Sequence, residues 1–174
     1  MLSGKKARIA VLVSGGGTNL QALIDAEKSG IIQSGTISLV ISNKEGAYPL
    51  TRAEENNIAT CVITKKACGS QEAFETAIMD CLDKNQIDLI VLAGFMSILS
   101  ERFTSHYEKR ILNVHPSLIP SFCGEGFYEL HVHEAALAKG VKVTGATVHF
   151  VDDGTDTGPI IIQKVVDVPF GITA

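Results

Sequence analysis

Ala7-Arg8-Ile9-Ala10-Val11-Leu12-Val13, followed at once by Ser14-Gly15-Gly16-Gly17-Thr18-Asn19-Leu20, is the stretch that decides the fold class. A short apolar run closed by three glycines reads as a buried strand feeding a tight turn. From Thr18 the apolar positions Leu20, Leu23 and Ile24 recur at helical spacing. Thr18 or Asn19 is suited to the N-terminal cap, and Gly30 ends the helix.

The same alternation continues outward from this unit. Strands are predicted at Ile37 to Ser42 and Ala59 to Ile63, with a polar helix containing Arg52 to Asn56 between them. Ser70 to Lys84 places Phe74, Ile78, Cys81 and Leu82 on one helical face, ahead of the uncharged run Leu89-Ile90-Val91-Leu92-Ala93, which reads as a central parallel strand. A helix over Ser100 to Tyr107 and a strand Ile111 to Val114 follow, the latter delivering His115 to its carboxyl end. After a loop and a helix over 132–139 the pattern changes. Lys142 to Val151 and Ile160 to Val168 are β-rich with no helix between them, which predicts an antiparallel or mixed edge. The fold class is therefore α/β: an open, mostly parallel Rossmann-like sheet flanked by helices, with an antiparallel or mixed C-terminal edge, and ligands beyond the carboxyl ends of the strands.

A length of 174 residues fits a single domain, 1–174, and an apolar share of 45% with 20% charged residues is enough to build a buried core. The net charge of -4 offers no footprint for a phosphate backbone, so nucleic acid is not an expected partner. Met1 to Arg8 is charged and no apolar run approaches the ~18 residues of a membrane span, so neither leader nor anchor is expected and the expected location is cytoplasmic. Cys61, Cys68, Cys81 and Cys123 are too widely spaced for a Cys-x-x-Cys motif and read as free thiols, Cys61 and Cys81 in the core.

Three features carry chemistry. The Gly15-Gly16-Gly17-Thr18-Asn19 turn joins a strand to a helix, where free N–H groups and the positive end of the helix dipole favour an anion. No Gly-Lys-Ser/Thr follows, Leu20 fills the third glycine position of a dinucleotide fingerprint, and Ile41-Ser42-Asn43 ends the second strand without a ribose-binding acid. A single phosphate fits better than a dinucleotide. Asn113 and His115, two apart on a strand, share a face and could meet one substrate atom, with Asn113 donating to a developing oxyanion while a protonated His115 stabilises charge and donates a proton. That chemistry needs an acid beside His115, and Asp156 is the candidate, with Asp152 and Asp153 competing in the same loop. His131 and His133, without a third ligand, are weak as a metal site, as are His106 and His149. Ser14 and Ser117 lack the G-x-S-x-G context of a serine hydrolase.

From about Arg8 to Val168 the chain resembles the phosphoribosylglycinamide formyltransferases, a folate-dependent formyltransferase family of purine synthesis. Four ordered motifs carry the resemblance: Val13-Ser14-Gly15-Gly16-Gly17-Thr18-Asn19-Leu20, Leu92-Ala93-Gly94-Phe95-Met96, Asn113 to Pro120, and Thr147-Val148-His149-Phe150-Val151 leading to Asp156-x-Gly158-Pro159. The resemblance implies a phosphate-binding half over about 1–100, with Gly16, Gly17, Thr18 and Asn19 on the substrate phosphate, and a folate and catalytic half over about 93–174. It implies catalysis by Asn113, His115 and Asp156, which selects Asp156 over Asp152 and Asp153. Folate would lie against Gln71, Met96, Ser97, Ile98, Leu99, Asn113 and the Asp152-Asp153-Gly154-Thr155-Asp156 loop.

The implied partners are phosphoribosylglycinamide and 10-formyltetrahydrofolate, the latter as cosubstrate, with no metal and with the protein a monomer or homodimer. Many members carry Arg where this chain has Gln71 and Ser97, which bears on the folate tail. Gly124-Glu125-Gly126-Phe127-Tyr128 replaces a shorter loop of some relatives. The chain ends at Ala174, where the family usually continues into a helix, so a shortened form is expected. Competing readings are a formyltetrahydrofolate hydrolase, a methionyl-tRNA formyltransferase, or a non-catalytic folate- or nucleotide-binding module; the missing regulatory and tRNA-binding extensions weigh against the first two.

Overall fold

Five consecutive residues, Ile9 to Val13, are buried in strand β1 (Ala7–Val13). This is the burial of a strand covered on both faces, and it explains why β1 reads as an unbroken apolar run rather than an alternating one. The structure is a computed structural model that describes residues 4–128 and 130–174, so the first three residues of the charged N-terminal stretch lie outside it. The chain divides into two units, residues 1–99 and 100–174.

In the first unit β1 pairs in parallel with β2 (Gly35–Ser42) and β4 (Leu89–Leu92), and β2 pairs in parallel with β3 (Ala59–Val62), giving the order β3-β2-β1-β4. The helices are α1 (Thr18–Lys28), α2 (Tyr48–Glu55), α3 (Lys65–Cys68) and α4 (Gln71–Lys84). Because the chain leaves β1 toward β2 and returns to β4 on β1's other side, strand order reverses at β1. Its carboxyl end is therefore the crevice position of an open α/β sheet. Leu20 and Ile24 pack with Val11, Val13 and Val40 in the core. At about 1.5 to 3 kcal/mol for each such side chain removed from water, this contact rather than helix propensity fixes α1, and so fixes where its N-terminus opens.

Three expectations need correction here. Neither Thr18 nor Asn19 caps α1; Gly17, at φ 77°, is the capping residue and no side chain closes the helix start. The cause is crowding, since a Cβ at Gly17 would lie 2.8 Å from Pro49 Cγ of α2, and the left-handed backbone itself favours glycine. Helix α2 contains Arg52 to Glu55 as expected but ends one residue short of Asn56, which caps it; it starts at Tyr48 with Pro49 in its first turn, where a missing N–H costs nothing. Cys61 and Cys81 are half-buried rather than core: β3 is the outer strand of this unit, and Phe74, Ile78 and Leu82 take the buried face of α4.

The second unit contains α5 (Glu101–His106), β5 (Ile111–His115), α6 (Leu130–Lys139), β6 (Val143–Phe150) and β7 (Ile160–Asp167). Here β6 pairs antiparallel with both β5 and β7, which is the expected C-terminal change of pattern. The β6–β7 connection is pinched shut by a hydrogen bond from Phe150 N–H to Pro159 O at 3.0 Å. It passes so close that a Cβ at Gly158 would stand 1.8 Å from Phe150 O. Asp156, at φ 57°, turns through the left-handed region within this connection, which Asp tolerates better than most residues.

Candidate active site

Strand alternation puts Asn113 and His115 on one face of β5, and the antiparallel register sets Asn113 opposite His149 and His115 opposite Thr147 on β6. Asp156 enters from the β6–β7 connection with Oδ2 3.3 Å from His115 Nδ1 and Oδ1 3.5 Å from His149 Nε2. The side chains of His115, Asp156 and His149 are 5%, 9% and 2% exposed.

His115 Nε2 donates to the Phe122 carbonyl at 2.8 Å. His115 thus has a carbonyl on one ring nitrogen and a carboxylate beside the other, and both of these partners are acceptors. Asp156 Oδ2 also accepts the Gly124 N–H at 3.1 Å. The loop that returns Phe122 and Gly124 to this point is clamped from β6: Thr147 Oγ1 donates to Ser117 O at 2.7 Å, and accepts from Ile119 N–H at 3.1 Å and from Gln163 Nε2 at 2.9 Å. Ser117 itself donates to Ser121 O at 2.6 Å and is fully buried. It holds the loop that carries the cis Ile119–Pro120 bond.

Burial opposes the charged form of His149. The hydrogen bond to Asp156, the Phe150 carbonyl and the negative charges of Asp156 and Asp152 outweigh it and raise its pKa above the ordinary histidine value. Burial would likewise raise Asp156, but hydrogen bonds with His149 and the Gly124 N–H, together with the positive charges of His115 and His149, hold it below the usual carboxylate range. A carboxylate held ionised among polar donors, beside a strand carboxamide and a charged imidazole, can stabilise an oxyanion and supply a proton.

Of the three aspartates open in the sequence, geometry brings only Asp156 to His115. Asp152 Oδ1 accepts from Gly154 N–H at 3.2 Å and from Thr157 Oγ1 at 2.6 Å, closing its own turn, while Asp153, Gly154 and Thr155 are exposed. Asp152 and Asp153 also line a cavity of about 230 Å³ with Glu101 and Glu108; its four carboxylates disfavour an anionic occupant.

The first unit holds the other candidates. Gly16, Thr18 and Asn19 are exposed around the uncapped start of α1, with Gly17 buried among them. The Met96 N–H donates to Ser14 Oγ at 2.8 Å, and Asn43 Nδ2 donates to Ser97 Oγ at 2.8 Å, so the 94–99 segment closes on the carboxyl ends of β1 and β2. Gln71 Nε2 bonds Glu75 Oε1 at 2.7 Å and Ile98 O at 3.0 Å. Gln71 and Ser97, the two positions where the resemblance expects Arg, are thus engaged with the protein itself. Met96 and Ile98 are exposed, whereas Leu99 is buried. Among the described residues no group of three His, Cys, Asp or Glu gathers as a metal site, and no helix is long and apolar enough to cross a membrane.

The family model described as formyl transferase matches residues 7–173. The chain belongs to the formyl transferase family. It is 47% identical to the phosphoribosylglycinamide formyltransferase of Escherichia coli (strain K12) over 160 residues, 92% of this chain and 73% of that protein. It is also 47% identical to the trifunctional purine biosynthetic protein adenosine-3 of Homo sapiens over 169 residues, 97% of this chain and 16% of that protein. Across the trifunctional relatives named from fly to human it spans only 12% to 16% of their length. Glycinamide ribonucleotide transformylase 1 from Symbiobacterium toebii superposes with a TM-score of 0.90 at 42% identity, covering 98% of this chain and 78% of that one.

Within this formyl transferase the residue that sequence reasoning missed is His149. In the sequence alone a lone strand histidine reads there only as a weak metal ligand. The signal that could have found it is register: two antiparallel β-strands that place Asn113 and His149 as partners also place the two side chains together. Asn113 Nδ2 lies 3.2 Å from His149 Nε2.

Proposed function

We propose that this chain transfers the formyl group of 10-formyltetrahydrofolate to the primary amine of phosphoribosylglycinamide, a step of purine synthesis in the cytoplasm. The observation that carries the reading is the buried contact of His115 with Asp156, beside Asn113 on the same face of β5, on a chain 47% identical to a phosphoribosylglycinamide formyltransferase over 92% of its length. The uncapped α1 start, with Gly16, Gly17, Thr18 and Asn19, takes the substrate phosphate on its free N–H groups, and the second unit performs the transfer.

The amine nitrogen attacks the formyl carbon, forming the new C–N bond and pushing the carbonyl pair onto oxygen. Asn113 donates to that oxyanion and the imidazolium of His115 stabilises its charge. Asp156, 3.3 Å from Nδ1, fixes the His115 ring. Collapse of the intermediate breaks the bond from the formyl carbon to the folate nitrogen, which leaves with the electron pair and takes up the proton that the attacking amine gives away, relayed through water near Asp156. The likeness to the family assigns folate contacts to Gln71, Met96, Ser97, Ile98 and Leu99 in the first unit and, in the second, to Asp152, Asp153, Gly154, Thr155 and Asp156. The positive charge that the step needs comes from His115, so the mechanism calls on no metal.

The test follows release of deformylated folate by absorbance with and without phosphoribosylglycinamide. Turnover that depends on the amine supports transfer. Turnover without it points to a hydrolase, and binding without turnover to a folate-binding module.

A further inference from the structure

His149 Nε2 is contested. Its other ring nitrogen, Nδ1, donates to the Phe150 carbonyl at 2.8 Å, so Nδ1 carries a proton in every charge state and only Nε2 titrates. Two groups face Nε2: the Asn113 carboxamide nitrogen at 3.2 Å, which can only donate, and Asp156 Oδ1 at 3.5 Å, which can only accept. One ring nitrogen cannot serve both.

We propose that His149 is a positioning residue whose proton decides which end of the Asn113 carboxamide faces the substrate. The proposal rests on the formyl-transfer reading above and deepens it. With Nε2 bare, the ring accepts an Nδ2 hydrogen from Asn113, which holds the amine end of the carboxamide on β6 and turns its carbonyl oxygen toward the reaction. An oxygen there repels an oxyanion. With Nε2 protonated, the ring can no longer accept. It donates to Asp156, and Asn113 gains by a half-turn of its amide that sets Oδ1 against the new Nε2–H and frees both Nδ2 hydrogens to donate to the formyl oxygen. The charged ring therefore makes Asn113 an oxyanion donor, and the neutral ring makes it an obstacle.

The surroundings favour the charged form. Asp156 faces the ring from the β6–β7 connection, Asp152 adds negative charge at the start of the same connection, and His115 stands on the other oxygen of the shared Asp156 carboxylate. Asn113 and the Phe150 carbonyl are the uncharged partners. Since these groups hold the proton on His149 above the ordinary histidine range, the donor state of Asn113 is complete in mild acid. It is lost as pH rises through the raised value.

Two measurements test this. Side-chain amide and imidazole nitrogen NMR of the free protein should show the Asn113 carboxamide resonances moving with the same midpoint as the His149 ring, and staying still in His149→Gln. Asn113 resonances that do not respond while His149 titrates would overturn the proposal, and the wild-type titration needs no variant to fold. Kinetically, His149→Gln should lower kcat by about ten- to a hundredfold with little change in either KM. Because it acts through Asn113, His149→Gln with Asn113→Ala should fall no lower than Asn113→Ala alone. Losses that multiply would show an independent or merely structural role. A wild-type protein without amine-dependent turnover would overturn the functional reading, and the NMR titration would still decide this one.

Discussion

Asp156 and His115 meet Oδ2 to Nδ1 at 3.3 Å with both side chains more than nine-tenths buried, although 41 positions of chain separate them. A carboxylate and an imidazole this sheltered from water interact more strongly than an exposed pair, and losing one strands the other. His115→Ala and Asp156→Asn are therefore expected to lower kcat by roughly two to four orders of magnitude while the fold is retained. Steady-state rates alongside circular dichroism check this, and near-normal turnover in either variant removes that residue from the mechanism.

Asp156 and His149 set a pH window for stability. Asp156 titrates below its ordinary value, so its contribution is fully present above about pH 3.9 and is lost as pH falls through the lowered value. His149 titrates above its ordinary value, so its contribution is fully present below about pH 6.5 and is lost as pH rises through the raised value. The stability difference between wild type and Asp156→Asn, about 1 to 3 kcal/mol for a buried hydrogen-bonded group, should peak between these limits and shrink on both sides. Urea denaturation at stepped pH measures it; a difference that stays flat across the range contradicts the assignment.

Asn19 lies exposed at the start of α1, where no side chain caps the helix, and is proposed to hold the substrate phosphate. Asn19→Ala is expected to raise KM for the phosphorylated amine more than KM for the folate. An unchanged amine KM would move the phosphate elsewhere.

Cys81 offers a check independent of activity. Burial, the neighbouring Cys61 thiol by hydrogen bond and by charge, and only a small opposing effect of Lys84 push its pKa up to about 12. At pH 8 its thiolate fraction is on the order of 10⁻⁴, and thiolate is the reactive form. Mass-resolved alkylation should label Cys81 far more slowly than a free cysteine; labelling at a free-cysteine rate would contradict the close approach of the Cys81 and Cys61 thiols.

Much of this was legible beforehand because the signals are local. The apolar run at Ile9 to Val13, the glycine turn after it and the β-rich stretches on either side of Asp152 to Pro159 follow from periodicity and turn chemistry, and the structure has those elements. Asn113 and His115 were legible as a pair because strand alternation alone puts them on one face. What escaped depends on contacts distant in sequence. Gly17 displaces Thr18 and Asn19 from the cap because Pro49 crowds the turn. Cys61 is half-exposed because β3 is an outer strand of its unit. His149 gains its importance from a cross-strand register that no single segment encodes. The three neighbouring aspartates look alike in the string, and only the turn that Asp152 closes on Thr157 and the left-handed backbone at Asp156 separate them.

The central claim is that the cluster around Asn113, His115 and Asp156 moves a formyl group onto an amine. The most direct measurement follows a carbon-13 label from 10-formyltetrahydrofolate in the presence of phosphoribosylglycinamide, with His115→Ala run beside the wild type. The account predicts label in the formylated amine at a rate that the variant loses. Label released as free formate, or product formed equally well without His115, would contradict it.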